Sequence, residues 1–488
     1  MGDSAEAPAQ DDGSDPSGLN GVKVVDIVPD GDLILDVTFY TSKDVLQAAR
    51  KAARKTVPSV PKELPQPTLR STVRVAYRVH LAVLRQQSKY FDNLLGDKRF
   101  AEAKSIESAL QRLSLQGIKP ENASPTDLPV VKIHEDDETT RSVGREGIFE
   151  DLLRILHRKQ STTNTKHVSM HYLAVLAVLA DRFASTGIVS RYVSALKYKW
   201  PATQTRLGKN DGPTLSRAAE ETLRQKILVA WLLDQPPKLM TSTRELIMYG
   251  SRRWRTFGDE EDEEDEEVGH AAWWDLPDDL ERELHYRRDC ILNTLASIPR
   301  HFLRLYTSRT RQCSLGYDTS PACDSFQLGE MIKFFVSRDL LFLVDFSPHS
   351  LDTIRDFAAT DLGHVIASLR QCPSYPLDKY HTSCGLRMRI LPIVDFVQAM
   401  LSSSAVAIGR VSWLKAREAT SWMPRDNGKR EKRVFRFTRG IATDQRLRYE
   451  GAMATERIAR ELFTADEWDW TPEEDQGREE GMGRWRFG

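Results

Sequence analysis

Residues 77–96 are the stretch that most constrains the fold of this chain. Hydrophobic and polar residues alternate up to His80, and hydrophobic residues then recur about every 3.6 positions, which is the pattern of a strand leading directly into helices. Ser88 divides the helical part, because its hydroxyl can accept a backbone N–H bond and begin a second short helix. The stretch therefore predicts a strand–helix–helix unit with a broad apolar surface that includes Leu84, Phe91 and Leu95.

Two predicted strands flank a long insertion at residues 41–70. Every second residue of each strand is hydrophobic, and these residues are Leu33, Leu35, Val37 and Phe39 in the first and Val73, Val75, Tyr77 and Val79 in the second. This alternation predicts half-buried strands with one apolar and one polar face, and we expect them to lie side by side. The insertion opens with a basic, helix-like segment and closes with four prolines, which disfavour regular structure. The basic segment is either a docking arm for an acidic partner or, more simply, a solvated excursion.

The following elements continue the pattern. Residues 97–127 are mostly polar and predict a loop, after which Val131 and Ile133 mark the inward face of a third strand. Three helices are then predicted from apolar residues at helical spacing. Their inward positions are Phe149, Leu152, Leu153 and Leu156, then Leu173, Leu176, Ala177 and Ala180, then Val189, Tyr192, Val193 and Leu196.

This order of elements resembles the BTB/POZ fold, a protein interaction domain common in fungi. The residues that carry the resemblance are Tyr77, His80, Val83, Leu84, Ser88, Tyr90, Phe91, Leu94 and Leu95. It covers residues 30–200, with insertions at 41–70 and 97–127, of which the first is the clearest departure from the family. The expected fold is α+β, a small mixed sheet flanked by helices, followed by a mainly α-helical domain.

The resemblance implies a protein–protein interaction adaptor that forms a homodimer through the BTB helices. For some members it also implies service as a substrate adaptor for a cullin-type ubiquitin ligase. Ile148, Phe149 and Glu150 form a hydrophobic-x-Glu pattern that is similar to a short cullin-contact motif. A transcription or chromatin regulator that uses the same dimer in the nucleus is the alternative.

At 488 residues the chain exceeds what one hydrophobic core usually organises. Residues 1–19 predict a disordered N-terminus. A mainly helical domain is expected at 211–423, with an exposed acidic loop at 259–267. The remainder, 424–488, predicts a charged, partly disordered tail with one helix near 446–462.

Charge and apolar content narrow the classes of partner. The formal net charge of −1, from 69 basic and 70 acidic residues, removes the general attraction to nucleic acids and anionic membranes. The acidic N-terminal stretch is unlike a secretory signal, and the longest apolar run, residues 172–180, is too short to span a bilayer. Five cysteines favour a reducing compartment. We expect a soluble cytoplasmic or nuclear protein that binds neither nucleic acid nor membranes directly.

The sequence contains no motif that is typical of a common enzyme class. A phosphate-binding glycine loop, a nucleophile elbow and a zincin helix are all missing, so we expect no enzyme, no catalytic residue and no cofactor. His80, at the junction of strand and helix, is expected to be a buried, hydrogen-bonded structural residue.

The strongest site candidate is a set of thiols and one imidazole in the C-terminal half: Cys313, Cys323, Cys372, His381 and Cys384. The spacing His381-x-x-Cys384 can place two zinc ligands on one turn, and Cys372 or Cys323 can complete a tetrahedral set. The other intervals are long, and buried cysteines often serve packing alone. Packing is therefore the preferred interpretation, with no metal, and a zinc-binding C-terminal domain of unknown activity is the alternative.

Overall fold

The computed structural model describes residues 21–55, 69–162, 168–203, 205–208, 212–254, 271–313, 315, 320–344, 360–374, 376–382, 384–424, 432–448 and 455–471. The expected disordered N-terminus and acidic loop, and the prolines of the 41–70 insertion, lie outside these residues. The chain forms two compact units. Unit 1 is Met1–Lys199 with Val268–Ala271, and unit 2 is Trp200–Glu267 with Ala272–Gly488.

A small sheet and several helices make unit 1 a mixed α/β structure, which is compatible with the expected α+β class. Its strands are β1 (Lys23–Asp26), β2 (Leu33–Tyr40), β3 (Thr72–Val79) and β4 (Val130–Glu135). Its helices are α1 (Lys43–Lys55), α2 (Leu81–Gln87), α3 (Lys89–Gly96), α4 (Ala101–Leu115), α5 (Arg145–Leu156), α6 (Met170–Arg182) and α7 (Thr186–Ala195).

The sheet has the strand order β1-β3-β2-β4. Strands β2 and β3 pair antiparallel along their whole length, with Leu35 opposite Tyr77, so the expected side-by-side arrangement is confirmed. β1 lies parallel to β3 and β4 lies parallel to β2. The pairing of Tyr40 with Thr72 shows that the insertion between the two central strands leaves and returns at one end of the sheet.

Aromatic rings join one face of the sheet to the helices that follow it. Phe149 of α5 packs against Phe39 of β2 and Tyr77 of β3, with ring centroids 5.7 and 5.5 Å apart. Phe183, directly after α6, packs against Phe149 at 5.2 Å and stacks on Phe91 of α3 at 5.5 Å. Strands and helices therefore share one interior, in which the four predicted core positions Leu84, Phe91, Leu153 and Leu176 are all fully buried.

The opposite face of the sheet is also covered, contrary to the expectation of half-buried strands and of a polar loop at 97–127. Residues 101–115 form α4, whose Leu113 packs with Ile34 and Ala76 from the second face of the sheet. Asp36 on that face is buried as well, and Arg74 donates to both of its carboxylate oxygens at 2.8 and 2.6 Å. Helix α4 thus covers part of the second face of the sheet.

Unit 2 is mainly helical. Its helices are α8 (Arg217–Leu232), α9 (Pro236–Tyr249), α10 (Leu280–Thr307), α11 (Ser320–Ser337), α12 (Leu362–Arg370), α13 (Leu386–Leu401), α14 (Arg410–Lys415), α15 (Arg417–Thr420), α16 (Arg439–Thr443) and α17 (Thr455–Phe463). Two short pairs of strands accompany them, β5 (Thr205–Gly208) with β6 (Gly212–Leu215) and β7 (Val434–Arg436) with β8 (Glu467–Asp469).

The described part of the expected C-terminal tail belongs to the core of unit 2, so the predicted domain end at residue 423 lies too early. Phe435, Phe437, Phe463 and Trp470 are all buried in the same cluster as the preceding helices. Trp470 donates its indole N–H to Ser297 of α10 at 2.9 Å. This packing was not predicted from the sequence, because the aromatic residues are widely spaced among many charged ones and show no periodic pattern.

Within the described residues, no helix has the length and apolar composition that crossing a membrane requires.

Candidate functional site

The residues that carry the resemblance lie at the joint between sheet and helices. Ser88 accepts a hydrogen bond from the Phe91 backbone N–H at 3.1 Å, which confirms the predicted start of a second short helix, α3. The same hydroxyl donates to the Phe183 carbonyl at 2.6 Å. Tyr77 donates to the Glu146 carbonyl at 2.9 Å, and burial raises the pKa of its phenol. These polar groups hold the fold together. Of the other predicted positions, Leu84 and Leu95 are buried and Tyr90 is exposed.

His80 differs from its expected role as a buried imidazole. Its ring is partly exposed, and Nε2 lies 3.4 Å from the Asp30 carboxylate. The junction is instead held by hydrogen bonds from backbone N–H groups to side chains. The His80 N–H donates to Nε2 of His157 at 3.1 Å, and the Leu81 N–H donates to Asp32 at 2.7 Å. Burial lowers the pKa of His157, which favours the neutral ring that can accept this bond. The buried imidazole at the junction is therefore His157, which the sequence did not single out.

The three residues of the hydrophobic-x-Glu pattern lie on α5 in different environments. Phe149 is fully buried in the aromatic core and is not available to a partner, which corrects its assignment as a contact residue. Ile148 is partly exposed. Glu150 accepts a hydrogen bond from Arg154, one turn later, at 2.8 Å. Only Ile148 and Glu150 remain as surface positions.

In unit 2 the chain brings three thiols and one imidazole together. Cys313, Cys323 and His381 each offer one ligand atom, and these atoms lie within 4.8 Å of one another. The sulfur of Cys384 lies 3.7 Å from that of Cys313. All four residues are buried, with exposed fractions of 6% or less. Four of the five residues singled out in the sequence thus converge, although 71 positions separate Cys313 from Cys384.

Cys372, the fifth candidate, lies elsewhere. Its sulfur contacts the Pro373 carbonyl at 3.8 Å, and its side chain belongs to the main apolar core of unit 2. Burial raises the pKa of its thiol to about 12. The remaining cysteine, Cys290, is buried on α10, where burial again raises the thiol pKa to about 12. These two are packing residues, as expected for most buried cysteines.

Asp378 orients the imidazole of the cluster, and the sequence analysis missed it. Its carboxylate lies 2.8 Å from Nδ1 of His381 and also accepts the His381 backbone N–H at 3.1 Å. This interaction raises the pKa of His381. The other ring nitrogen, Nε2, is buried and has no hydrogen-bond partner. The signal was present as an acid, a His and a Cys at three-residue intervals, Asp378, His381 and Cys384.

The surroundings of the cluster are fixed by bonds to neighbouring helices. Tyr306, near the end of α10, donates to the Cys384 carbonyl at 3.1 Å. The Gln312 backbone N–H donates to Asp324 of α11 at 3.0 Å, and Arg389 of α13 donates to the Gln312 side chain at 2.7 Å. The loops that carry the thiols are therefore tied to three helices.

A groove of about 710 Å³ also opens on unit 2, between α9, α12 and α13. Its charged lining groups are engaged by the chain itself. Arg370 pairs with Asp395 at 2.7 Å, and Arg387 donates to the Cys372 carbonyl at 2.5 Å. The groove therefore shows no convergent set of polar groups comparable to the thiol–imidazole cluster.

No protein-family model matches the chain, and neither a curated protein nor a solved structure is significantly similar to it. The class that the fold defines is a mixed α/β protein with a small sheet and many helices.

Proposed function

We propose that unit 1 is a BTB/POZ-type interaction domain and that the protein acts as an adaptor that joins other proteins. The observation that carries this proposal is the arrangement around Ser88. Its hydroxyl connects the short pair α2 and α3 to the end of α6, over a sheet in which β2 and β3 pair antiparallel. This order of strands and paired helices is what the sequence resemblance implies.

The use of the resemblance residues in packing also supports an interaction role. Leu84 and Phe91 are fully buried, and the hydroxyls of Tyr77 and Ser88 bond to backbone carbonyls of the same unit. Because these groups serve the packing of unit 1, we propose that partners bind to its surface. We propose a homodimer formed through helices of unit 1 as the working assembly.

A cullin-type ubiquitin ligase is the partner class that we propose for α5. Ile148 and Glu150 reach the surface of this helix, one supplying apolar area and the other a carboxylate. Glu150 is already paired with Arg154 within one turn, so a partner would compete with this ion pair for the carboxylate.

The test is affinity purification of the tagged full-length chain from a fungal host, followed by mass spectrometry and light scattering. We expect a particle of about twice the 55.5 kDa chain mass and recovery of a cullin. Ile148→Asp should abolish cullin recovery without changing the dimer. Leu115→Asp is the matched control, because Leu115 is 89% exposed on α4, a different helix.

A chain that is monomeric at all concentrations and recovers no cullin would contradict the proposal. Recovery of nuclear corepressors with the intact dimer, in place of a ligase, would instead support the regulator alternative.

A further inference from the structure

We propose that Cys313, Cys323, His381 and Cys384 bind one structural Zn²⁺ ion in unit 2. The proposal is independent of the adaptor function, because all four residues belong to the other unit. It reverses the preference for simple packing that the sequence spacing favoured.

One separation matches a tetrahedral metal site, and three of the four ligand atoms lie close enough together to approach one ion. Zinc–sulfur bonds of about 2.3 Å in a tetrahedron place neighbouring sulfurs about 3.8 Å apart. The Cys313 and Cys384 sulfurs are separated by 3.7 Å, and the ligand atoms of Cys313, Cys323 and His381 lie within 4.8 Å of one another. A disulfide needs a sulfur–sulfur distance of about 2.05 Å, so these thiols are not positioned as a covalent pair.

The imidazole provides the observation that packing does not explain. A buried cysteine behaves as a small apolar residue and needs no partner, but a buried ring nitrogen without a hydrogen bond is destabilising. Nε2 of His381 has no hydrogen bond of good geometry, and the Cys313 thiol is the group besides Asp378 that interacts with this ring. Asp378 holds the opposite nitrogen, Nδ1, at 2.8 Å, which is the carboxylate–histidine arrangement that orients metal-binding imidazoles. A metal on Nε2 satisfies the orphaned atom.

The donor set selects the class of metal. Three thiolates and one imidazole are soft and borderline donors, which suit Zn²⁺ and disfavour Mg²⁺ and Ca²⁺. Cysteine binds zinc as the thiolate, so metal binding releases protons from the sulfurs.

Four protein ligands indicate a structural ion, because a catalytic zinc keeps one position open for water or substrate. The ligands come from chain segments next to three helices. Cys313 follows α10, Cys323 lies in the first turns of α11, and His381 and Cys384 directly precede α13. One ion would therefore join chain segments at the ends of three helices.

The experiment measures metal by plasma mass spectrometry on the full-length chain, expressed with zinc and purified without chelators. We expect about one zinc per chain in the wild type. Cys313→Ser, Cys323→Ser, Cys384→Ser and His381→Ala should each lose most of it. Cys290→Ser and Cys372→Ser are matched controls, since both thiols are buried in unit 2 but lie outside the cluster, and both variants should retain the zinc.

A second set of measurements tests the proposal even if the ligand-removing variants fail to fold. His381→Cys preserves four ligands and should retain zinc, and Co²⁺ in its site should show a thiolate charge-transfer spectrum shifted from that of the wild type. Thiol alkylation of the folded wild type should spare the three cluster cysteines until a chelator is added. The proposal is overturned by wild type with less than a tenth of a zinc per chain, by iron in its place, or by equal zinc loss from the Cys372→Ser control.

Discussion

The Ser88 hydroxyl donates a hydrogen bond to the Phe183 carbonyl at 2.6 Å, although 95 positions separate the two residues. The same oxygen accepts the backbone N–H of Phe91 and so caps α3. One buried side chain therefore begins a helix and fastens it to the end of α6, where Phe183 stacks on Phe91. Ser88 thus makes both a local helix cap and a long-range hydrogen bond in unit 1.

Ser88→Ala should lower the free energy of unfolding of unit 1 by about 1–3 kcal/mol, since it removes a helix cap and leaves a buried carbonyl unpaired. All ten tryptophans lie at Trp200 or beyond, so fluorescence does not report on this unit. Hydrogen exchange of peptides from α3 and α6 is the appropriate measurement. Ser105→Ala, at an exposed position of α4, should change exchange little. Unchanged protection in Ser88→Ala would show that the bonds contribute nothing.

Glu135 should make the stability of unit 1 depend on pH. It is buried at the end of β4, and one of its oxygens has no hydrogen-bond partner. Burial raises the pKa of Glu135 to about 7, against the opposing effect of Arg182. The folded state thus binds the proton more tightly than the unfolded state, where the carboxyl pKa is about 4.5. The contribution of the protonated Glu135 carboxyl to the free energy of unfolding is complete below pH 4.5, and it is lost as the pH rises through 7.

The measurement for Glu135 is hydrogen exchange of β4 peptides between pH 5 and 8, corrected for the intrinsic exchange rate. Wild type should lose up to roughly 3 kcal/mol over this range relative to Glu135→Gln, which carries no titrating group. Parallel pH profiles for the two proteins would show that Glu135 titrates normally.

Arg287→Met should lower the free energy of unfolding of unit 2 by about 3–5 kcal/mol, because it leaves the buried Glu283 charge without its partner. Arg287 donates to Glu283 at 2.7 Å and to the Ala407 carbonyl at 2.8 Å, and it lies over the Trp422 ring. Tryptophan fluorescence in urea follows this unit. The same substitution at exposed Arg282, on the same helix, should change stability by less than about 0.5 kcal/mol. Equal effects at both positions would refute the role of the buried pair.

Trp470→Ala should destabilise unit 2 by about 3–5 kcal/mol, although the residue lies in a segment whose sequence resembles a loose tail. Its ring is 1% exposed and its N–H bonds to Ser297. Thermal unfolding followed by circular dichroism avoids the loss of a fluorophore. The partly exposed Trp468 provides the comparison, and its replacement by Ala should have a smaller effect. If Trp470→Ala unfolds at the wild-type temperature, the C-terminal segment does not stabilise the unit.

Strong local patterns were predictable in this chain. The alternation in β2 and β3, the helical spacing in α5 and α6, and the cap at Ser88 all depend on residues that are neighbours in sequence. Helix α4 escaped prediction because its inward face is built partly from alanines, Ala103 and Ala109, between charged residues. Without that helix, the second face of the sheet was expected to be polar and exposed.

The candidate metal site was predictable only in part. The pair His381 and Cys384 is visible from its spacing, but Cys323 and Cys372 were equal candidates for completing the set. The structure separates them, placing Cys323 beside Cys313 and Cys384 and leaving Cys372 in the apolar core. In the sequence Cys372 lies closer to His381 than Cys323 does, only nine residues before it, yet it is not part of the cluster.

The sequence by itself determined most of unit 1, namely β2, β3, β4, the short pair α2 and α3, and α5 to α7 in that order, because hydrophobic periodicity and capping act over a few residues. Tertiary structure alone decided which thiols converge, which face of the sheet α4 covers, and that Trp470 completes the core of unit 2. Those outcomes depend on contacts between residues far apart in the chain, and such contacts leave no periodic signal in the segments that make them.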